Sequence, residues 1–148
     1  IDATEVYSAL GIYNGYHAGF MYTSTSLIYA LWTPGPTFST LASWTVGTTG
    51  SQINQGQWYV IAVTKSGNIW TPYVNGVQLG TGTTTSVTSI GVINNYINFG
   101  AAFQASAGTG NYLYYAKNTF AGTKMYNRAL SASEIAQNFN AHRGRYGI

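Results

Sequence analysis

Hydrophobic and polar residues alternate over short stretches along most of the chain, and Gly or Asn interrupts the pattern about every eight to twelve residues. The stretches are rich in Tyr, Val, Ile, Thr, Trp and Phe, which favour strands. Short strands with regularly spaced turns are typical of a sandwich or barrel of antiparallel strands. The predicted strands span residues 6–13, 18–24, 27–32, 41–46, 58–65, 69–74, 77–80, 88–93, 97–100, 112–116 and 120–126.

The sequence predicts three of the connections between these strands. Asn75-Gly76, which separates two predicted strands, indicates a type I′ hairpin turn, because both central residues of that turn need a positive φ. The Gly-rich stretch 105–110 is interpreted as a hairpin connection, and the Thr-rich stretch 81–86 as a loop between strands. Residues 58–64 are apolar on both faces, which is typical of a central strand with Trp58 in the core.

A single helix is predicted near the end of the chain, over about residues 131–142. Ser131 followed three residues later by Glu134 is a capping box. We expect Gly144 to end the helix and Arg128 to pair with Glu134. Two cations suit the negative end of the helix dipole, Arg143 and Arg145. We expect the helix to dock its Ile135/Phe139 edge on the sandwich. The side chains near one helical face are Leu130, Ile135, Phe139 and His142.

Charge is scarce in this chain, and the scarcity narrows the possible functions. The 148 residues suit a single domain covering 1–148, and only 6% of them are charged, against roughly 25% in an ordinary soluble domain. Six bases and three acids leave a net charge of +3, without the dense Lys/Arg stripe that nucleic-acid binding needs. No apolar run is long enough to span a membrane, and there is no Cys.

The side chains that carry most enzyme chemistry are few. The acids are Asp2, Glu5 and Glu134, and the helix cap uses the last of them. A glycosidase needs two neighbouring carboxylates, and a metal site needs several His, Cys or acidic ligands. His17 and His142 are isolated, so neither predicts a catalytic triad. We therefore expect no catalysis, no metal and no cofactor.

Two segments resemble laminin-G-like domains of the concanavalin A-like lectin/glucanase superfamily. Residues 57–64 and the following Tyr73-Val74-Asn75-Gly76-Val77 resemble the central hairpin of these domains, and residues 126–135 resemble their last strand and short helix. The tail 138–148 resembles the C-terminus of such domains in virion structural proteins of tailed phages, especially marine and cyanobacterial ones. The similarity covers about residues 57–80 and 120–148.

The sequence departs from the enzymes and calcium-binding members of this superfamily. Its glucanases carry Glu-x-Asp-x-x-Glu on one strand, whereas this chain has only Asp2-x-x-Glu5. Many members place a Gly and an acidic residue before the last strand, where residues 118–121 here contain no acid. The resemblance therefore implies the fold, and the residues argue against an enzyme.

The four Trp and thirteen Tyr residues can be interpreted in three ways, and each interpretation implies a different role for the rings. Aromatic rings on a sheet surface can stack on sugars while Asn or Gln side chains bond the hydroxyl groups. The alternatives are core or cross-strand pairs and hot spots of a protein–protein interface. Trp58, Tyr126 and Phe139 are predicted to lie in the core. The predicted ligand-binding residues are Trp44, Trp70, Tyr112, Tyr114 and Tyr115.

We therefore expect an all-β protein, a jelly-roll sandwich of two antiparallel sheets with one short C-terminal helix. The function that the resemblance implies is a non-catalytic virion module of a tailed phage, as a capsid decoration or a tail or fibre component. It would stabilise the particle or adhere weakly and multivalently to cell-surface glycans. Its partners would be other virion proteins and further copies of itself, on the surface of the extracellular particle. The alternative is a free-standing carbohydrate-binding lectin module.

Overall fold

The computed structural model describes the backbone of residues 17–22, 26–32, 40–48, 56–80, 83–84, 101–106, 109–115, 119 and 121–148. Side chains are described for 56–80, 119 and 121–148. The strands predicted at 6–13, 88–93 and 97–100 lie outside these residues, as do Asp2 and Glu5.

The first sheet is an antiparallel meander of three strands. These are β1 (His17–Tyr22), β2 (Ser26–Trp32) and β3 (Thr40–Thr48), in the order β1-β2-β3. The pairing of β2 with β3 shifts register twice, as at β-bulges. The strands predicted at 18–24, 27–32 and 41–46 are confirmed, with boundaries that differ by a few residues.

The second sheet follows directly in the chain and holds most of the described core. It contains β4 (Ile61–Ser66), β5 (Ile69–Val74), β6 (Val77–Gln78) and β7 (Thr83–Thr84), all antiparallel to their partners. Within the described residues β5 lies between β4 on one side and β6 and β7 on the other, so β5 occupies the central position predicted for β4.

A third pair of strands forms a hairpin near residue 107. Ser106 at the end of β8 (Ala101–Ser106) pairs with Thr109 at the start of β9 (Thr109–Tyr115). The Gly-rich hairpin connection is therefore confirmed, and β9 covers most of the strand predicted at 112–116. Strand β8 was not predicted, because its Ala-rich sequence has a low β propensity.

The turn between β5 and β6 has the predicted backbone geometry. Asn75 has φ 49° and Gly76 has φ 80°, and a type I′ turn needs both to be positive. Gly76 also lies against the helix, since a Cβ atom there would be 3.0 Å from the Phe139 Cβ. The turn therefore fits a glycine for two reasons, backbone conformation and space.

Helix α1 (Ala132–Tyr146) begins at the predicted capping box. The Ser131 Oγ accepts the Glu134 N–H, and the Glu134 carboxylate accepts the Ser131 N–H at 2.8 Å. The helix continues past Gly144 and ends at Gly147, which has φ 68°. The prediction that Gly144 ends the helix is therefore wrong. Gly147 takes the left-handed conformation, and its N–H caps the Arg143 carbonyl.

The segment that precedes α1 differs from its prediction. Residues 121–126 have no regular secondary structure and are exposed, although the sequence predicts a strand at 120–126. The Tyr126 ring is 49% exposed, so it does not lie in the core. The segment instead makes polar contacts with α1, through Asn138 Nδ2 to the Tyr126 hydroxyl at 3.3 Å and through Lys124 Nζ to His142 Nε2 at 2.6 Å.

The described core joins the second sheet to the start of α1. Tyr73, Leu130 and Ile135 are buried together, with Ala62 packed against them. Phe139, predicted in the core, is half-buried against Gly76, and the predicted docking of the Ile135/Phe139 edge is confirmed. The antiparallel strands and C-terminal helix agree with the predicted class, while packing into a two-sheet sandwich stays a prediction. No helix in the described part is long and apolar enough to cross a membrane.

Candidate functional site

An open cleft of about 400 Å³ lies between the segment before β4 and the end of α1. This volume is within the range of about 300–1,000 Å³ that is typical of small-molecule sites. The walls combine aromatic rings, side-chain amides and glycine backbone. The lining residues are Gly56, Gln57, Trp58, Tyr59, Asn75, Tyr146, Gly147 and Ile148.

Two aromatic rings from distant parts of the sequence meet in this cleft. The centroids of the Trp58 and Tyr146 rings are 5.2 Å apart, and the ring planes are inclined by 43°. Both residues are half-buried. Rings at this distance and tilt attract each other through their quadrupoles, so the pair holds a stable shape. Trp58 therefore lies in a surface cleft and not in the described core, which corrects its sequence prediction.

Asn75 brings the hairpin turn into the cleft and is held there by two hydrogen bonds. Its backbone N–H donates to the Val60 carbonyl at 2.8 Å, and its Oδ1 accepts the Val60 N–H at 3.0 Å. Because a backbone N–H can only donate, the accepting atom of the Asn75 side chain must be the oxygen. The orientation of the Asn75 amide is therefore determined.

Gln57 and Tyr59 form a second polar contact on the same wall. The Tyr59 hydroxyl donates to Gln57 Oε1 at 2.8 Å. Residues 57–60 have no regular secondary structure, and β4 begins only at Ile61. The irregular backbone lets consecutive side chains, Gln57, Trp58 and Tyr59, all line the cleft.

The helix terminus forms the opposite wall. The N–H groups of Gly147 and Ile148 both donate to the Arg143 carbonyl, the second at 3.2 Å, which turns the backbone sharply after Tyr146. The Arg145 guanidinium carbon is 5.6 Å from the centroid of the Tyr146 ring, within cation–π distance. Tyr146 therefore has Trp58 and a cation as neighbours.

The opposite end of α1 holds an ion pair. Arg128 donates to both carboxylate oxygens of Glu134, at 2.9 and 2.6 Å. The Arg128 hydrogen bond and the Ser131 backbone and hydroxyl donors lower the pKa of Glu134 from 4.5 to about 2. The same hydrogen bond with Glu134 raises the pKa of Arg128. The predicted Arg128–Glu134 pair is confirmed, and its place at the helix start is structural.

The predicted ligand-binding residues are distributed over three strands. Trp70 lies on β5 and is 2% exposed, so its ring offers no open face to a ligand in this structure. Trp44 lies on β3, and Tyr112, Tyr114 and Tyr115 lie on β9, where the structure describes the backbone. For these four a role in ligand binding stays a prediction. The described aromatic cleft is built from other residues.

Sequence reasoning missed the cleft because its walls come from segments far apart in the chain, namely residues 56–59, Asn75 and residues 146–148. The apolar neighbours of Trp58 predict a position in the core, and Tyr146 lies beyond the predicted helix end. Gly147 was the available indication, since Gly just past a helix is a common terminus. Placing the terminus there would have added Tyr146 to the helix.

The described residues offer binding groups and little acid–base chemistry. Glu134 is their one acid, and Arg128 and Ser131 hold its carboxylate away from the cleft. Within the same residues no group of three His, Cys, Asp or Glu side chains could hold a metal ion.

Comparison with known proteins identifies the family. The model of the Laminin_G_3 family, described as belonging to the concanavalin A-like lectin/glucanases superfamily, matches residues 3–136. A solved structure of an S-layer domain-containing protein from Clostridium thermocellum is similar, with 25% sequence identity and a TM-score of 0.47. That similarity covers 85% of this chain and 57% of the other chain. No curated protein matches. Because the family match spans most of the chain, this protein belongs to the concanavalin A-like lectin/glucanase superfamily, as a Laminin_G_3 domain.

Proposed function

We propose that this domain is a non-catalytic adhesion module that binds glycans in the cleft formed by Trp58 and Tyr146. The carrying observation is the pair of inclined rings, 5.2 Å apart, next to the amide groups of Gln57 and Asn75. Aromatic faces pack against the C–H faces of sugars, and a few polar groups then orient the ligand.

The proposal includes the absence of catalysis, which is supported by the small number of acidic side chains. The whole sequence contains three acids, and Glu134 is engaged at the start of α1. Hydrolysis of a glycosidic bond needs two carboxylates on either side of it. Asp2 and Glu5 would have to supply both, and they form only a fragment of the glucanase motif.

The proposal places the domain on a particle that displays many copies, the surface of a tailed-phage virion. It is supported by the resemblance of residues 138–148 to phage virion proteins. A shallow cleft binds one sugar weakly, and display of many copies multiplies the effective affinity by about 10²–10⁴. Other virion proteins and further copies of this chain would then be its partners. Stabilising the particle is the second candidate function, and a free-standing lectin is the alternative.

Glycan binding is tested by displaying the domain on beads and probing a glycan array. Tyr146→Ala should reduce binding about two- to tenfold, since one aromatic contact is worth about 0.5–1.5 kcal/mol. Tyr126→Ala is the matched control, because that ring is exposed, lies beside the same helix and does not line the cleft.

Equal loss in the two tyrosine variants, or none in Tyr146→Ala, would contradict the assigned cleft. Particle location is tested by imaging the purified virion, where the domain should occur in symmetric, stoichiometric copies. A virion that lacks the domain, together with array binding by the purified monomer, would favour the free-standing lectin.

A further inference from the structure

Residues 121–126, called the strap below, lie against α1 and contact it through two polar side chains. The strap has no regular secondary structure, and its residues are exposed. Lys124 Nζ is 2.6 Å from His142 Nε2, and the Tyr126 hydroxyl accepts a hydrogen bond from Asn138 Nδ2 at 3.3 Å. Residues 138 and 142 are about one helical turn apart, so both contacts lie on the same side of α1.

The contact between Lys124 and His142 requires one protonation state of the imidazole. A lysine ammonium has three N–H donors and no acceptor, so His142 Nε2 must accept the hydrogen bond. An accepting Nε2 belongs to a neutral imidazole that carries its proton on Nδ1. When the ring takes up a second proton, both nitrogens become donors. The same contact then brings two cations together, without an acceptor between them.

The charged groups near His142 are cations. Lys124 lies in the strap, and Arg143 and Arg145 lie on α1 itself. Glu134, the one acid among the described residues, is held at the start of the helix. It is about 12 Å from His142 along the helix axis, at roughly 1.5 Å per residue, and this exceeds the Debye length of about 8 Å at physiological salt. A proton on His142 therefore adds charge to a region that is already cationic.

The other groups near His142 do little to compensate for that charge. Tyr126 in the strap and Tyr146 one turn later in α1 are phenols, which are uncharged in neutral and acidic solution. On the sheet side α1 contacts β6 (Val77–Gln78), whose side chains do not titrate. The helix dipole favours cations mainly in the last turn, which begins after His142 and holds Arg143.

We propose that the strap is an acid-released element, which lies on α1 while His142 is neutral and detaches when His142 is protonated. An imidazole ordinarily changes its charge between about pH 5 and 8, so mild acidification is sufficient. The remaining contact, from Asn138 to the Tyr126 hydroxyl, is exposed, and its 3.3 Å is longer than is usual for a hydrogen bond. Release uncovers the side of α1 that carries Asn138 and His142.

The rest of the helix stays in place in the same pH range. At its start, the Arg128 hydrogen bond and the Ser131 donors hold the pKa of Glu134 at about 2, far below the range in which an imidazole titrates. At its end, Tyr146 packs on Trp58 without a titrating partner between the rings. The device therefore opens one side of α1 and leaves the cleft intact.

Nuclear magnetic resonance relaxation of the backbone Cα nuclei tests the release, because amide exchange does not affect these nuclei. In the wild-type domain the order parameters of residues 123–126 should be close to about 0.85 at pH 8 and below about 0.6 at pH 5. Those of α1 should stay high at both pH values, and the indole resonance of Trp58 should not move.

Substitutions on both sides of the contact separate protonation from shape. His142→Gln keeps an uncharged acceptor that does not titrate, so the strap should stay ordered at both pH values. His142→Arg carries a permanent cation, so the strap should be mobile at both. Lys124→Gln is the matched control. Its amide can donate to a neutral imidazole and accept from a protonated one, so the strap should again stay ordered throughout.

Wild-type order parameters that are the same at pH 8 and pH 5 would overturn the proposal. A fall that persists in His142→Gln would also overturn it, since another group would then be the sensor. A loss of order that extends through α1 would overturn it as well, because acid would then unfold the helix and not release the strap alone.

Discussion

At the scale of single residues, the predictions that succeeded depend on neighbours in sequence. Ser131 and Glu134 form the capping box within one helical turn, and Asn75 and Gly76 form the turn by their own backbone preferences. Trp58 shows the limit of this reasoning. Its apolar neighbours indicate a buried strand, yet it precedes β4 and packs on Tyr146. A ring's partner from a distant segment cannot be deduced from local pattern.

The pKa of Glu134 gives a pH prediction at this scale. The folded value of about 2 is below the ordinary 4.5, so the carboxylate stabilises the fold fully above about pH 4.5, and this stabilisation is lost as pH falls toward 2. Glu134→Gln keeps a capping-box side chain and removes the charge. In urea titrations, the stability of the wild type relative to Glu134→Gln should decline between pH 4.5 and 2. A difference that stays constant over that interval would contradict the assigned ion pair.

At the scale of elements, turn and helix are coupled by one close contact. Gly76 meets Phe139 of α1, so the β5–β6 turn and the helix position each other. Each element is predictable separately, since the turn motif and the helical face are both local patterns. Their contact depends on how far the helix lies from the sheet, which is a tertiary effect. The end of α1 at Tyr146 is marked locally by the left-handed Gly147, whereas the packing of Tyr146 on Trp58 again depends on the tertiary structure.

Because the β5–β6 turn contacts α1, two similar glycine substitutions should lower the free energy of unfolding by different amounts. Gly76→Ala places a Cβ atom 3.0 Å from the Phe139 Cβ at a positive φ, so unfolding free energy should fall by about 2–4 kcal/mol. Gly67→Ala also has a positive φ, but its Cβ meets nothing within 4 Å, so the loss should be about 1–2 kcal/mol. Urea unfolding measures both. Equal losses would show that Phe139 does not crowd the turn.

At the scale of the whole molecule, the scarcity of charge and the abundance of aromatic rings both support binding without catalysis. Three acids in 148 residues leave few groups for catalysis, while the cleft of Trp58 and Tyr146 offers stacking and donors for binding. The family and its strand-rich class followed from sequence, because short β-strands and the motifs at 57–64 and 126–135 carry them. The site did not, because the cleft combines the segment before β4, the Asn75 turn and the end of α1.

The central claim is that ligands bind in this cleft, and nuclear magnetic resonance of the four Trp indole N–H groups tests it most directly. The Trp58 resonance, assigned with Trp58→Phe, should shift during titration with the oligosaccharide that binds best. The resonance of Trp70, which is 2% exposed, should stay in place. A shift confined to another indole, such as that of Trp44 on β3, with Trp58 unmoved, would contradict the account.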